Sequence, residues 1–393
     1  MSSKEDLLKL GLAERALAVT PFMVMEVLEA AARLEAAGRD VIHMEVGEPD
    51  FRTPEIVVQA MKDALDGGAF KYAHSQGDPL LRETLSWHYR ERYGVDVSPD
   101  RFLVCPGTSP GLLLLFGALL KEGDGVLMSN PYYSCYPNLV GFFGGRPVLC
   151  PVKESDGFRF NPDDVKRALD PSIKAILVNS PANPTGAVLD AERLEALAAL
   201  DRFVISDEIY HGLSYLPDRD HTILEYTDQA AVVGGFSKNL AMTGWRVGYL
   251  IVPPELIRPL RSMFQNFLIS VNAAAQKAAA VALRQAWPEV AKMRAIYDRR
   301  RRLLIDGLRE MGFVVMVEPA GAFYVLARAD HLSSDSKSLV FEILEEAGVG
   351  LTPGIEFGSG AEGFLRFSYA TSEENIRQGL MRLASFSRRR QRS

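Results

Sequence analysis

Residues 234–248, GGFSKNLAMTGWRVG, place Lys238 eight residues before Arg246. They begin inside an apolar run, residues 230–236, that is typical of a buried strand, so Lys238 comes just after a strand end. Ligands bind at strand ends in parallel α/β sheets. A shielded lysine amine can form an imine with an aldehyde, and a nearby guanidinium can hold two phosphate oxygens. The pair suggests pyridoxal phosphate, and two surface charges on a loop are the alternative.

Composition excludes several classes of protein. The 393 residues are 47% hydrophobic and 24% charged, which is typical of a soluble globular chain, and the length predicts two to three domains. The net charge of -6 argues against nucleic acid as the main partner. The three cysteines show no CxxC spacing, which predicts neither a disulfide framework nor a metal site and favours a reducing compartment.

No membrane-directed segment is evident in the sequence. The first ten residues, MSSKEDLLKL, carry acidic residues and lack the apolar core of a signal peptide. The most apolar run, residues 111–120, has the length of one buried helix rather than of a membrane span. We therefore predict a cytoplasmic protein with no membrane partner.

Short apolar runs alternate with helical patterns between residues 101 and 253. Because these runs are apolar on both faces, they predict an α/β fold with a mainly parallel sheet covered by helices. Helical spacing is found at residues 111–120 and 191–200. The predicted strands are RFLVCPG (101–107), GVLMSNP (125–131), AILVNSP (175–181), FVISDE (203–208), AAVVGGF (230–236) and GYLIVP (248–253).

The pattern changes after Pro288. A long charged helix is predicted at residues 289–311, as a connection to a smaller α+β domain. An N-terminal helix at residues 22–37 is expected to pack on that domain. We predict an N-terminal segment at 1–52, a large cofactor-binding domain at 53–287 and a small domain at 288–393. The smaller domain's predicted elements are strands FVVMVEP (313–319), AFYVLA (322–327) and FLRFSYA (364–370), and helices 336–347 and 372–383.

Three further motifs fall where predicted strands end. VCPGTSPG (104–111) leads from a strand through a glycine loop into a helix, whose free N–H groups can bind phosphate. NSPANPTG (179–186) presents Asn183 as a side-chain donor. SDEIY (206–210) offers Asp207, which can keep a pyridine nitrogen protonated, although a helix N-cap is the alternative.

One arginine stands inside an apolar strand. Arg366 interrupts FLRFSYA, and a buried guanidinium is costly unless an anion accompanies it. It therefore either pairs with a protein carboxylate or binds the carboxylate of a ligand.

These motifs are part of a wider resemblance. Together with VGEPDF (46–51), KYAHSQGDPLLRETL (71–85) and SNPYYSCYP (129–137), the chain resembles the class I aminotransferases of the fold-type I pyridoxal-phosphate enzymes over nearly its whole length. The combination of Lys238 and Arg246 with NPTG and SDEIY carries most of that resemblance.

The resemblance implies roles around the cofactor ring. Lys238 is expected to form the imine and act as the catalytic base, and Asp207 to pair with the pyridine nitrogen. Asn183 and Tyr210 are expected to bind the phenolic oxygen. Tyr133 occupies the position of the ring-stacking aromatic, where tryptophan is frequent in relatives.

The resemblance also implies how phosphate is held. Arg246, the Ser109 hydroxyl and the backbone N–H groups of Gly107, Thr108 and Ser109 are expected to bind it. Tyr72 is expected to reach the phosphate of the neighbouring subunit, which implies a homodimer with shared active sites. A phosphate-binding hydroxyl that many relatives carry is replaced by glycine at position 235.

Arg366 and Gly47 match substrate-binding positions of the family. Arg366 is expected to bind the substrate α-carboxylate, Gly47 to bring backbone close to the substrate, and Asn183 to contribute to substrate binding as well. A second carboxylate on the substrate needs another cation, for which Arg52, Lys71 and Arg159 are the available candidates. Four apolar residues could line the entrance and favour neutral or aromatic substrates, unless they form a packed helix face. They are Phe22, Met23, Val24 and Met25.

The resemblance implies an amino-acid aminotransferase that moves an amino group between an L-amino acid and a 2-oxo acid by a ping-pong mechanism. A β-lyase, or a related carbon–heteroatom lyase or synthase, is the alternative on the same fold. A non-catalytic regulatory protein is a third alternative, although every residue given a catalytic or binding role above is present in the chain.

Overall fold

The computed structural model describes residues 11–216 and 220–390. The first ten residues, on which the prediction about a signal peptide rests, lie outside this part of the chain. The helices are α1 (Glu14–Ala18), α2 (Met23–Ala36), α3 (Glu55–Asp66), α4 (Pro79–Tyr93), α5 (Thr108–Leu119), α6 (Cys135–Phe142), α7 (Pro162–Ala168), α8 (Ala191–Ala198), α9 (Pro254–Phe267), α10 (Ala273–Gln285), α11 (Trp287–Glu310), α12 (Ser336–Ala347) and α13 (Glu373–Arg390). The strands are β1 (Ile42–His43), β2 (Phe102–Cys105), β3 (Gly125–Asn130), β4 (Arg146–Pro151), β5 (Ile173–Asn179), β6 (Phe203–Asp207), β7 (Ala230–Gly235), β8 (Gly248–Ile251), β9 (Tyr324–Arg328), β10 (Val349–Gly350), β11 (Thr352–Pro353) and β12 (Phe364–Ser368).

The main sheet has seven strands in the order β2-β8-β7-β6-β5-β3-β4. Strand β8 runs antiparallel to both of its neighbours, and the other pairs are parallel. The central strands are buried along nearly their whole length, since side chains on both faces meet helices. This arrangement confirms the predicted α/β fold with a mainly parallel sheet.

One predicted strand is wrong and one longer strand was missed, as were the two-residue strands β1, β10 and β11. Strand β4 was not predicted because RPVLCP carries two prolines and is largely exposed, which an edge strand tolerates. The strand predicted at residues 313–319 is wrong, since only Val314 pairs, in an isolated bridge with Arg328. The carbonyl of Val315 accepts a hydrogen bond from the Arg309 guanidinium instead of from a neighbouring strand.

The predicted helices agree with the structure to within a few residues, except for the last. Helix α12 spans the predicted residues 336–347: Asp335 caps its first turn by accepting from the Ser338 N–H at 2.9 Å, and Gly348 ends it in the left-handed conformation. Helix α13 continues to Arg390, beyond the predicted Leu383. On this added stretch Phe386 is buried, and Arg389 forms an ion pair with Glu346 on α12.

Buried apolar side chains form two clusters. The larger surrounds the seven-stranded sheet. The smaller lies around the antiparallel sheet β11-β12-β9, and it includes Val27, Ala30 and Ala31 from α2. The domain limits at residues 52 and 287 stay a prediction. None of the helices in residues 11–216 and 220–390 is both long and apolar enough to cross a membrane.

Gly186 connects the loop after β5 to the segment before β9 through its backbone. It follows β5 with φ at +66°, and its carbonyl accepts hydrogen bonds from the N–H groups of Ala320 and Gly321 at 2.8 and 2.9 Å. A Cβ at this position would lie 2.2 Å from the Cβ of Pro319. Only glycine fits both the backbone conformation and this approach.

We expect Gly186→Ala to lower the free energy of unfolding by about 2–4 kcal/mol, because a left-handed alanine and a methyl group forced against Pro319 both destabilise the fold. Urea or thermal unfolding followed by circular dichroism measures the loss. Gly141→Ala is the matched control: Gly141 lies in α6 with no atom near an added Cβ, so this change should be neutral or stabilise by up to about 1 kcal/mol. Equal stability of the two variants would contradict the requirement for glycine at position 186.

Candidate active site

A cavity of about 150 Å³ lies where the central strands of the main sheet end. Asn179 and Asp207 are the last residues of β5 and β6, and Lys238 follows β7 by three residues. Parallel neighbours bring these carboxyl ends to one edge of the sheet. The predicted residues that line the cavity are Gly47, Thr108, Tyr133, Asn183, Asp207, Tyr210, Lys238 and Arg366.

The Lys238 amine faces this cavity. Its Nζ donates a hydrogen bond to the carbonyl oxygen of Gly47 at 2.6 Å. Burial lowers the pKa of the Lys238 amine to about 8, and the Glu48 carboxylate opposes that shift. At pH 7 roughly a tenth of the amine is therefore neutral. Such an amine can act as a nucleophile or as a base under ordinary conditions.

Asp207 is buried at the end of β6. Its Oδ2 accepts a hydrogen bond from the Tyr136 hydroxyl at 2.7 Å, and its Oδ1 accepts from the N–H of Ile209 at 3.2 Å. Burial raises the pKa of Asp207 to about 6, while the Tyr136 hydrogen bond acts in the opposite direction. The carboxylate is thus mainly ionised at pH 7 and can hold a cationic partner in the cavity.

Arg366 is a buried cation in the middle of β12. Its Nη1 donates to Asn183 Oδ1 at 3.0 Å, and its Nη2 donates to the carbonyl of Glu45 and to Thr352 Oγ1 at 2.5 and 3.0 Å. In the described part of the chain, no carboxylate lies within ion-pair distance of it, and its Nε has no partner. A protein carboxylate partner, one of the two alternatives for a buried arginine, is therefore not found among the described residues.

Aromatic rings hold the Arg366 guanidinium in place. Its Cζ lies 4.4 Å from the ring centre of Tyr324 and 4.9 Å from that of Phe357. These faces attract the cation without neutralising its charge. Tyr324 in turn shares a 2.9 Å hydrogen bond with Tyr210, so the residue predicted to bind the ring oxygen is connected to Arg366 through Tyr324.

A second cavity of about 330 Å³ adjoins the first and is lined by Thr108, Ser109, Ser237 and Arg246. The N–H groups of Thr108 and Ser109 belong to the first turn of α5, which has no internal acceptors for them. The N–H of Gly107 donates instead to the Cys105 carbonyl at 2.8 Å. A Cβ on Gly107 would lie 2.5 Å from Arg246 Nη2, so glycine at this position lets the guanidinium approach the helix N-terminus.

Tyr72 and the three candidate cations for a second substrate carboxylate, Arg52, Lys71 and Arg159, do not line either cavity of this chain. The Tyr72 side chain is 82% exposed, and with Lys71 it lines a separate surface depression next to Asn272. Arg52 is exposed, and Arg159 forms an ion pair with Asp190. Phe22 and Val24 do line both cavities, as the expectation of an apolar entrance required.

Sequence reasoning missed several residues that position the site. Tyr136 belongs to SNPYYSCYP, but no role was predicted for it. It lies three residues after Tyr133, on the same side of a helical turn. Thr352 and the carbonyl of Glu45 hold Arg366, but they are distant in sequence and carry no motif.

The family is settled by sequence comparison. Residues 39–383 match the family model for aminotransferase class I and II. This chain belongs to that family. It is accordingly an aminotransferase, and the two cavities described above form its candidate active site.

Named relatives and solved structures agree with this assignment. The aminotransferase is 38% identical to the (5-formylfuran-3-yl)methyl phosphate transaminase of Methanocaldococcus jannaschii, over 95% of this chain and 99% of that protein. It is 40% identical to the aspartate/prephenate aminotransferase of Thermus thermophilus, over 95% of this chain and 98% of that protein. The structure of Thermus thermophilus aspartate aminotransferase with maleate superposes with a TM-score of 0.91 at 40% identity, covering 95% of this chain and 99% of that one.

A larger residue at position 235 of the aminotransferase would require the Ile209 side chain to shift. A Cβ on Gly235 would lie 2.9 Å from Ile209 Cδ1 and 3.3 Å from Thr108 Cγ2. Within residues 11–216 and 220–390, no three His, Cys, Asp or Glu side chains are grouped so as to hold a metal ion.

The low pKa of Lys238 can be measured directly on the cofactor-free aminotransferase. We expect acetic anhydride to label Lys238 with a midpoint near pH 8, because the amine is protonated and unreactive below that pH. Glu48→Gln should move the midpoint to lower pH, since the Glu48 carboxylate stabilises the protonated amine. Mass spectrometry of the Lys238 peptide follows the reaction, with surface lysines as the internal comparison. A labelling midpoint for Lys238 near pH 10.5 would contradict the lowered pKa of this amine.

Proposed function

We propose that this aminotransferase uses pyridoxal 5'-phosphate, carried on Lys238, to move an amino group between an L-amino acid and a 2-oxo acid. The observation that supports the proposal most strongly is Arg366, a buried guanidinium with no carboxylate partner in the described residues. It faces the same cavity as an amine with a lowered pKa. An α-amino acid supplies the missing carboxylate and places its amino group beside Lys238.

The residues around the cavities fit the cofactor at its phosphate end. Arg246 lies against the N-terminus of α5, where Gly107 leaves space for its guanidinium. A dianionic phosphate would be stabilised there by the guanidinium, by the N–H groups of Thr108 and Ser109, and by the helix dipole. Ser109 and Ser237 line the same cavity and offer hydroxyl donors.

The residues also fit the ring of the cofactor. Asp207, ionised above about pH 6, would keep the pyridine nitrogen protonated. Asn183 and Tyr210 would donate to the ring oxygen, and Tyr133 would stack on the ring face. When bound, pyridoxal phosphate draws electrons from the substrate α-carbon and so makes the α-proton acidic.

This chain's own residues then perform binding and proton transfer. Arg366 holds the α-carboxylate with two N–H groups and fixes the orientation of the α-carbon. Lys238 Nζ, once free, would accept the α-proton and could deliver it again within the same cavity, because its pKa lies near neutrality. A single site serves both substrates in turn, which gives ping-pong kinetics. The two relatives named above are called after different substrates, so their names do not choose the amino donor.

We further propose a homodimer in which Tyr72 reaches the phosphate site of the other subunit. Tyr72 and Phe70 are 82% and 75% exposed, and Phe267 is 64% exposed. Large aromatic side chains in contact with water favour an interface. A hydroxyl from outside the subunit would complete the donors around the phosphate.

We propose that this aminotransferase is a cytoplasmic protein. Cys105 and Cys150 are buried and Cys135 is partly buried, and none of these forms a disulfide. Burial raises the pKa of all three thiols, which keeps them in the less reactive protonated form.

A single half-reaction tests the proposed activity. Enzyme loaded with pyridoxal phosphate and given an amino acid alone should release about one 2-oxo acid per active site and then stop, because no acceptor regenerates it. Lys238→Ala should slow this release by roughly 10²–10⁴-fold. Lys277→Ala, which removes an exposed lysine on α10, should not change it.

The same samples identify the attachment site. Borohydride reduction followed by peptide mapping should place the cofactor on Lys238. Continuous turnover without an acceptor would instead show a lyase, and a label on Lys71 or Lys277 would contradict the role of Lys238.

Mixing of inactive variants tests the shared site. Subunits carrying Tyr72→Ala, mixed and reassociated with subunits carrying Lys238→Ala, should regain up to about one quarter of the wild-type active sites, since each mixed dimer has one site with both native residues. Asp207→Asn mixed with Lys238→Ala is the control and should regain nothing, because both residues belong to one subunit. Activity is compared with that of each variant alone. Full activity of a monomer, or no recovery in the first mixture, would contradict the shared site.

A further inference from the structure

The two cavities of the active site share an apolar wall. Phe22, Val24, Tyr133 and Ile209 line both, and Phe22 meets Tyr133 edge to face with ring centres 6.4 Å apart. Three more apolar side chains continue this wall in the second cavity: Met25, Leu28 and Val46. A substrate whose carboxylate is bound at Arg366 and whose amino group faces Lys238 therefore has apolar surface next to its side chain.

Every cation that lines the cavities already has a role. Within residues 11–216 and 220–390 these cations are Lys238, Arg246 and Arg366. The proposed function assigns the first to the cofactor, the second to phosphate and the third to the α-carboxylate. None of the cations that line either cavity is left for a second substrate carboxylate.

Apart from Asp207, the remaining charged side chain on the cavity walls is negative. Glu48 lines the second cavity, where it accepts a hydrogen bond from the Thr243 hydroxyl, and its charge raises the pKa of Lys238. A carboxylate on a substrate side chain would lose its water against the apolar wall and would also be repelled by Glu48.

We propose that this aminotransferase takes neutral, apolar amino acids and apolar 2-oxo acids, and that it discriminates against dicarboxylates such as aspartate, glutamate and 2-oxoglutarate. The inference rests on the proposed function, because it assumes that Arg366 binds the α-carboxylate. It applies to both substrates, since a ping-pong enzyme uses one subsite for the side chains of donor and acceptor.

Half-reaction kinetics of the wild-type holoenzyme test the proposal. We expect kcat/KM for leucine, methionine or phenylalanine to exceed that for aspartate and glutamate by roughly a hundredfold or more, because an unpaired charge in an apolar site is strongly disfavoured. A ratio below about tenfold would overturn the proposal and would point to a cation from the partner subunit.

Equilibrium binding gives a readout that does not depend on turnover. By titration calorimetry, 4-methylpentanoate should bind the holoenzyme at least about tenfold more tightly than succinate, since both carry a carboxylate for Arg366 but only one has an apolar tail. Equal or tighter binding of succinate would overturn the proposal. If no amino acid supported a half-reaction, the proposed function would fail, and these two ligands would still decide the character of the subsite.

A charge introduced into the wall should change the preference. Val24 lines both cavities in the first turn of α2. Val24→Lys should shift the aspartate-to-leucine ratio of kcat/KM toward aspartate by at least about tenfold, because the new ammonium pairs with the distal carboxylate. Val24→Met adds length without charge and should leave the ratio near the wild-type value. An unchanged ratio in folded Val24→Lys, or an equal shift in both variants, would contradict the assignment of this wall to the substrate side chain.

Discussion

The Arg366 guanidinium is held by three parts of the chain that are far apart in sequence. Asn183 comes from the loop after β5, the carbonyl of Glu45 from the segment after β1, and Thr352 from β11. A buried cation requires many well-placed acceptors, because each missing one leaves charge without water or a partner. The position of this one side chain therefore depends on the main sheet, on the small sheet and on the N-terminal segment at once.

The rest of the site depends on the register of the main sheet. Strands β5 and β6 pair so that Asn179 lies beside Asp207, and β6 pairs with β7 in the same direction. The short loops that follow then carry Asn183, Tyr210 and Lys238 toward the same edge. Helix α5 begins at this edge as well, and its positive end faces Arg246 across Gly107. A parallel sheet thus collects charges of both signs at one boundary, where water is partly excluded.

The sequence predicted what depends on local pattern. Apolar runs identified six strands of the main sheet, and cap residues such as Asp335 and Gly348 agree with the predicted limits of α12. Strand β4 was missed because an exposed edge needs no continuous apolar run. The Tyr136 contact with Asp207 and the backbone acceptor at Glu45 were missed because they are set by tertiary packing. Nothing in the neighbouring residues of a carbonyl group marks it as the acceptor for a distant arginine.

The hydrogen bond from Lys238 Nζ to the carbonyl of Gly47 has a thermodynamic consequence. A cofactor that bonds to this amine removes the donor on which the Gly47 backbone relies. Occupancy of the lysine and hydrogen bonding of the Gly47 carbonyl would then be coupled equilibria, and linkage requires the coupling to act equally in both directions. Part of the intrinsic binding free energy would be used to break that hydrogen bond, so the gain in stability on loading would be smaller than the strength of the new contacts. The released carbonyl is at the same time a free acceptor at the wall of the cavity, available to the ammonium group of an arriving amino acid.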